Sequence, residues 1–225
     1  VCEHSNDRVE NVFLREVPVM AKKSKREAQK KAPGAPPKPD AASNQWLKYL
    51  PPALLAVILL VVALTYVQQQ KDIREALSVT DTVKMETSKG TVMVEVYPKL
   101  MPVTVANFEK LVKAGFYDGL TWHRVEDWVV QTGDPTATGS GGSDETIPLE
   151  VSRVLKNVRG ALGMARTNDP NSATSQFYVL KSDAEWLDGG YAVFGKVTSG
   201  IEVIDQLTAE DTVTKITIES ESSGK

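Results

Sequence analysis

Three stretches of the chain mix polar, charged and aromatic residues at spacings that a simple strand would not need. The first runs Thr121-Trp122-His123-Arg124 and on to Trp128-Val129-Val130-Gln131-Thr132-Gly133-Asp134. The second runs from Gly163-Met164-Ala165-Arg166 to Ser175-Gln176-Phe177-Tyr178, and the third from Glu185-Trp186-Leu187-Asp188-Gly189-Gly190-Tyr191 to Val193-Phe194-Gly195. Counting removes several chemistries. Cys2 is the only cysteine and His4 and His123 are the only histidines, so the region holding these stretches has neither a thiolate site nor a two-histidine metal site, and no cofactor is called for. Gly139 to Gly142 looks superficially phosphate-cradling, but it lacks a GxGxxG spacing or a following Lys-Ser/Thr and reads as a loop. His123 invites a general-base role. In isolation Arg124 would be a surface ion-pair partner; its place ahead of the Gln131 motif reverses that reading.

Together, the segments WHR, QTGD, MARTNDPNSATSQF and WLDGGYAVFG resemble the cyclophilin family of peptidyl-prolyl isomerases over residues 82–219. The resemblance implies a mainly β fold, a closed eight-stranded antiparallel β-barrel capped by two α-helices, with an active groove on its outer face. By that likeness Arg124 is the catalytic arginine, and Gln131 orients it and touches substrate backbone. Ala165 and Arg166 run beside the bound peptide, and Gln176 closes the groove. Trp128, Val129, Tyr178 and Leu187 line the proline pocket with Tyr191 at its edge, and Trp186 stands where the family's cyclosporin-contacting tryptophan stands.

The implied reaction suits these residues. Rotation about the X-Pro bond crosses a barrier of about 18–20 kcal/mol without making or breaking a covalent bond, so no nucleophile or metal is needed and His123 reads as structural. What helps is an apolar slot for the ring and a permanently charged donor that favours the twisted amide. The sequence departs from the family pattern in places. Between Arg124 and Trp128 it is one residue shorter, with Glu126 and Asp127 where Pro-Gly is common; Trp128, Val129, Tyr178 and Tyr191 stand where Phe, Met, Phe and His are frequent. The carboxylates beside Arg124 offer its guanidinium an ion pair.

The elements that must position these groups are legible from periodicity. Val83 and Met85 alternate with Lys84 and Glu86, a turn follows at Ser88 to Gly90, and Val92, Val94 and Val96 alternate again, as in a β-hairpin with one wet face. Pro102 suits a first helical position, Val105, Phe108, Leu111 and Val112 make an apolar stripe, and Gly115 is a stop. Strands are expected at 128–131, 177–180, 192–197 and 214–218, with a second helix at 201–207. These residues, about 140 in all, suffice for one core of ordinary size.

The rest of the chain reads differently. Residues 1–79 carry 12 basic and 8 acidic residues, whereas 80–225 carry 14 and 21, so the formal charge of -3 averages two unlike halves. Residues 50–67, LPPALLAVILLVVALTYV, bear no charge and reach roughly 27 Å as a helix. That approaches a bilayer core of about 30 Å, and Trp46, Tyr49 and Tyr66 fit an aromatic belt. Between Met20 and Lys48 the chain carries Lys22, Lys23, Lys25, Arg26, Lys30, Lys31, Lys38 and Lys48 against only Glu27 and Asp40, which by the positive-inside rule puts the N-terminus in the cytoplasm and the isomerase domain outside it. An uncleaved signal anchor is favoured over a cleaved signal peptide because the apolar core is long and the small-x-small exit at Ala63 and Thr65 is poor. Residues 1–49 are expected to be a disordered basic arm, with residues 1–19 lying upstream of a natural start at Met20; 68–81 a short tether; and 220–225 a tail.

The expectation is a membrane-anchored, bacterial-type cyclophilin with a monomeric catalytic domain. It would act on proline-containing polypeptide clients and not on nucleic acid, and Trp186 makes cyclosporin binding plausible. Two alternatives stay open: a tethered module or chaperone that grips proline segments without accelerating rotation, and a cytoplasmic domain in inverted topology.

Overall fold

Alternation of apolar and polar residues over 81–96 yields two long strands, and the rest of the sheet grows from them. In the computed structural model, which describes residues 51–222, β1 (Asp81–Thr87) buries every second residue and pairs antiparallel with β2 (Gly90–Val96), setting Val83 against Val94 and Met85 against Val92. The other strands are β3 (Arg124–Val125), β4 (Val129–Thr132), β5 (Ala161–Met164), β6 (Phe177–Leu180), β7 (Val193–Ser199) and β8 (Val213–Ser220). All pairings are antiparallel, in the order β3-β4-β6-β5-β7-β2-β1-β8.

The ladder is open between β3 and β8, so the expected closed barrel is corrected to an eight-stranded sheet curled into a half-barrel. β3, two residues long, pairs with β4 alone, and the gap to β8 is crossed by backbone bonds from the segment before it. There Gly119 N–H donates to Val213 O (2.7 Å), Val213 N–H to Leu120 O (2.8 Å) and Trp122 N–H to Asp211 O (3.1 Å), with one isolated bridge between Thr121 and Thr212.

The helix expected after Pro102 runs Pro102–Lys113 (α2), and Gly115 follows its last turn at φ 66°. Its own N-cap, Met101, offers no side-chain acceptor, so Glu150 supplies one from far along the chain, accepting from Val103 N–H (3.1 Å), Thr104 N–H (2.6 Å) and the Thr104 hydroxyl (2.6 Å). A carboxylate at that end also suits the helix dipole. Phe108 of α2 sits at 5.2–5.5 Å ring-to-ring from Tyr117, Phe177 and Phe194, in a core completed by Trp122, Leu162, Met164 and Ile204 of α3 (Ile201–Asp205). A second, smaller apolar cluster gathers Val129, Tyr178, Leu180 and Val193. Adjacent residues of a strand face opposite ways, which sends Phe177 to the main core and Tyr178 to this second cluster.

One carboxyl is set against its surroundings. Glu109 of α2 keeps Oε1 sealed from water without a donor, and burial, with Asp81 beside it, pushes its pKa up to about 7. The folded protein thus holds this proton to a higher pH than the unfolded chain, whose glutamate titrates near ~4.3, so its contribution to stability is lost as pH rises from about 4.3 towards 7. Glu109→Gln is expected to raise Tm at pH 8 and leave it unchanged at pH 4; melting curves at both pH values check this.

N-terminal to the sheet, α1 (Pro52–Ser78) takes in most of the apolar segment and continues through residues 68–78, so the stretch expected as a tether is helical almost to β1. It is long and apolar enough to cross a membrane, and none of its residues is buried. The basic arm, Met20, Trp46 and Tyr49 lie outside the described residues.

Candidate active site

The three stretches meet on the outer face of the sheet. β4 and β6 place Gln131 opposite Tyr178, β3 places Arg124 opposite Gln131, and β5 places Gly163 opposite Tyr178. A cavity of about 270 Å³ opens there, lined by Arg124, Trp128, Val129, Gln131, Ala165, Arg166, Tyr178, Leu187 and Tyr191. All of the site residues read from the sequence are in that wall except Gln176 and Trp186. Gln176 lines an adjoining cavity of about 360 Å³ that shares Gln131, Ala165 and Arg166 with the first, and its other walls come from Gly139 to Ser143 and from Thr167, Ser172 and Thr174. Trp186, on a short 3-10 helix at Glu185–Leu187, is 69% exposed and packs edge-on against Trp128 at 5.5 Å.

The floor of the smaller cavity requires a glycine. Tyr178 lies so close to Gly163 that a Cβ there would come within 2.2 Å of the phenol carbon and oxygen. The phenol donates to Asn157 Oδ1 (2.7 Å), and Asn157 is held in turn by Asp188 Oδ1, which accepts from its N–H (2.9 Å) and Nδ2 (3.0 Å). Burial pushes the Tyr178 pKa up, so the phenol stays a donor. One wall is cationic: Arg166 stacks over Tyr191 at 4.8 Å and donates from Nε to Gly190 O (2.8 Å) and from Nη1 to Thr167 O (2.7 Å).

Arg124 is held by a relay. Its Nη1 donates to Gln131 Oε1 (3.3 Å), Gln131 Nε2 donates to Gln176 Oε1 (2.7 Å), and Gln176 Nε2 donates to Gly141 O (2.6 Å) and Gly139 O (3.1 Å). The loop carrying those carbonyls is itself organised by Asp134. This buried carboxylate accepts from the N–H groups of Thr136 (2.7 Å), Thr138 (3.0 Å), Gly139 (2.7 Å) and Gly141 (3.1 Å), and from the Thr136 hydroxyl (2.8 Å). Burial by itself would raise its pKa; the hydrogen bonds from Thr136, Gly141 and Gly139 outweigh that and hold it well below the usual carboxylate range. Gly133 starts the loop at φ 92°, where a Cβ would meet Ser175 O at 2.4 Å, so no other residue fits without moving the Ser175–Gln176 backbone that leads into β6.

Glu126 is the other partner of Arg124, accepting from Nε at 2.7 Å, so the ion pair offered by the sequence forms. It leaves the Nη edge turned to Gln131. His123 lines neither cavity; burial lowers its pKa first, with Asp134 opposing, and neither ring nitrogen has a partner. The sequence reading assigned no role to Asp134, Asn157 or the carbonyls of Gly139 and Gly141. Asp134 stood inside the QTGD segment, and the alternation of Thr and Gly after it was the available sign of a carboxylate-centred loop.

An open antiparallel half-barrel with an arginine-and-glutamine groove on its outer face defines a class, and comparison with known proteins agrees. The family model for cyclophilin type peptidyl-prolyl cis-trans isomerase/CLD matches residues 82–221. The chain belongs to this family, and it is a peptidyl-prolyl cis-trans isomerase by class. It is 40% identical over 139 residues to a peptidyl-prolyl cis-trans isomerase of Acinetobacter baylyi, covering 59% of this chain and 74% of that one. It is 39% identical over 130 residues to peptidyl-prolyl cis-trans isomerase ppi1 of Schizosaccharomyces pombe, covering 56% and 83%. Among solved structures it resembles a cyclophilin type peptidyl-prolyl cis-trans isomerase of Cryptosporidium parvum, with TM-score 0.59 and 29% identity over 63% of this chain and 99% of that one.

Proposed function

We propose that this chain accelerates cis-trans interconversion of X-Pro bonds in protein clients, with Arg124 as the group that stabilises the twisted amide. The observation that carries this reading is the Arg124 guanidinium facing a cavity of about 270 Å³ whose other walls are mostly apolar or aromatic, while the second guanidinium there, Arg166, is committed to Gly190 O and Thr167 O. The proline ring enters between Trp128, Val129, Tyr178 and Leu187 while Ala165 and Arg166 run beside the peptide backbone. As the C–N bond twists, conjugation is lost and charge gathers on the prolyl nitrogen. The Nη edge of Arg124 then donates to the prolyl carbonyl and approaches that nitrogen. Gln131 holds the guanidinium and meets substrate backbone. The pocket adds to the effect by binding the planar states less well than the twisted one. The C. parvum relative, also solved in the presence of the dipeptide Ala-Pro, supports a proline-containing ligand for this groove. The exposed ring of Trp186 is the contact we assign to cyclosporin.

The proposal includes the setting. An apolar helix exposed around its whole circumference is stable where lipid covers it, and Thr65 donates its hydroxyl to Val62 O (2.9 Å) within that helix, as a bilayer requires. The basic excess before it supports a cytoplasmic N-terminus and an isomerase domain on the other side, tested by protease accessibility in intact cells. The buried apolar core lies wholly between Val83 and Ile216, and the domain spans almost the whole C. parvum chain, so a fragment from Thr80 is expected to fold alone. Exchange NMR on a proline-containing peptide should show faster cis-trans interconversion with this fragment. Peptide binding with no rate above background would support the binding-module alternative instead.

A further inference from the structure

We infer that Glu126 is a positioning residue for the isomerase reaction: its carboxylate clamps Arg124 and Trp128 together and so sets the charged edge and one wall of the proline cavity. This rests on the assignment of Arg124 given above. The clamp follows from the shortened hairpin. Glu126 N–H donates to Val129 O (2.8 Å), turning the chain within four residues, and the two-residue spacing from Arg124 puts both side chains on one face. One carboxylate oxygen accepts from Arg124 Nε (2.7 Å) and the other from Trp128 Nε1 (2.7 Å). The guanidinium carbon therefore lies over the indole at 5.3 Å. Taking the Nε–H leaves the Nη edge for Gln131 and the cavity, so the guanidinium is held from both sides, by Glu126 and by Gln131. Glu126 itself does not line the cavity.

The carboxylate has two opposed effects on Arg124: it orients the guanidinium and it offsets part of its charge. Both groups are over two-fifths exposed, so water already screens the second effect. Orientation persists because it depends on two directed hydrogen bonds and a ring contact. For the same reason the clamp adds little to global stability, and its removal tests positioning without unfolding the domain.

With full-length protein in mild detergent, Glu126→Ala is expected to lower kcat about tenfold while KM moves by less than about twofold, because Arg124 acts in the twisted state more than in substrate binding. Glu126→Gln keeps an acceptor for Arg124 Nε and should stay within about threefold of the parent. In ¹H–¹⁵N spectra, the Arg124 Nε–H and Trp128 indole signals, assigned by their loss in Arg124→Ala and Trp128→Phe, should shift in Glu126→Ala while the core Trp122 indole does not. An unchanged or raised kcat in Glu126→Ala, or unshifted signals, would overturn the clamp. Full activity in Arg124→Ala would overturn both the clamp and the reading beneath it, whereas an inactive Arg124→Ala beside a fully active Glu126→Ala removes the clamp alone.

Discussion

Arg124→Ala is expected to lower kcat/KM by about 10- to 150-fold, the equivalent of one charge-assisted hydrogen bond of about 1.5–3 kcal/mol at about 1.36 kcal/mol per tenfold. No other cation in the smaller cavity can replace it. Arg166 is committed to Gly190 O and Thr167 O on the far wall. The fold should persist, because Arg124 is partly exposed and the β3–β4 ladder is made by backbone groups. Arg124→Lys is expected to lose most of the same activity, since one ammonium cannot serve Glu126, Gln131 and a substrate carbonyl in the fixed geometry of a guanidinium fork. Isomerisation rates beside a thermal melt check both; a folded Arg124→Ala that keeps half its activity would refute the assignment.

The second large effect lies behind the groove. Asp134→Ala should cost about 3 kcal/mol of stability and, for a domain of this size, roughly 10 °C in Tm, because it removes a buried charged acceptor that four backbone N–H groups share. The loss is not confined to stability. The freed loop carries Gly139 O and Gly141 O, which hold Gln176, which holds Gln131 against Arg124. Isomerase activity measured well below the lowered Tm should therefore fall as well, and Asp134→Asn, which keeps one acceptor, should lie between. The pH dependence has a definite sign. Because the folded pKa is depressed, this carboxylate's contribution is complete above the unfolded value of about 3.9 and is lost as pH falls below it. Asp211, whose pKa is lowered to about 2 by the Ser88 hydroxyl first, against burial, and then by Thr208, adds to the same acid limb. The acid limb should be shallower in Asp134→Asn than in the parent.

How far the groove was legible depended on the kind of signal. Strands β1 and β2 and helix α2 could be read because each carries its own period or punctuation, such as alternating valines or Pro102 at a helix start, and β6 because Phe177–Leu180 is an unbroken run of aromatic and aliphatic residues. β3 and β5 could not. Arg124–Val125 is too short to show a period, and Ala161–Met164 is buried on both faces and interrupted by a glycine, so it has no alternation to detect. The continuation of α1 through Ser78 was missed for a related reason: Gln68 to Lys71 breaks the apolar run without breaking the helix.

By itself the amino-acid sequence determined the family, the groove residues carried on its local segments, the two helices beside the sheet and the apolar segment ahead of it. All of these rest on residues near one another in the chain. Tertiary structure alone decided that the sheet stays open between β3 and β8, that Asp134 organises the loop behind Gln176, that Asn157 anchors the Tyr178 phenol, and that Glu126 bridges Arg124 and Trp128 instead of drawing the guanidinium away. Each of these depends on the direction in which a polar group points once distant strands are paired. A hydrogen bond needs both partners within about 3 Å and aligned, a condition that spacing along the chain does not encode.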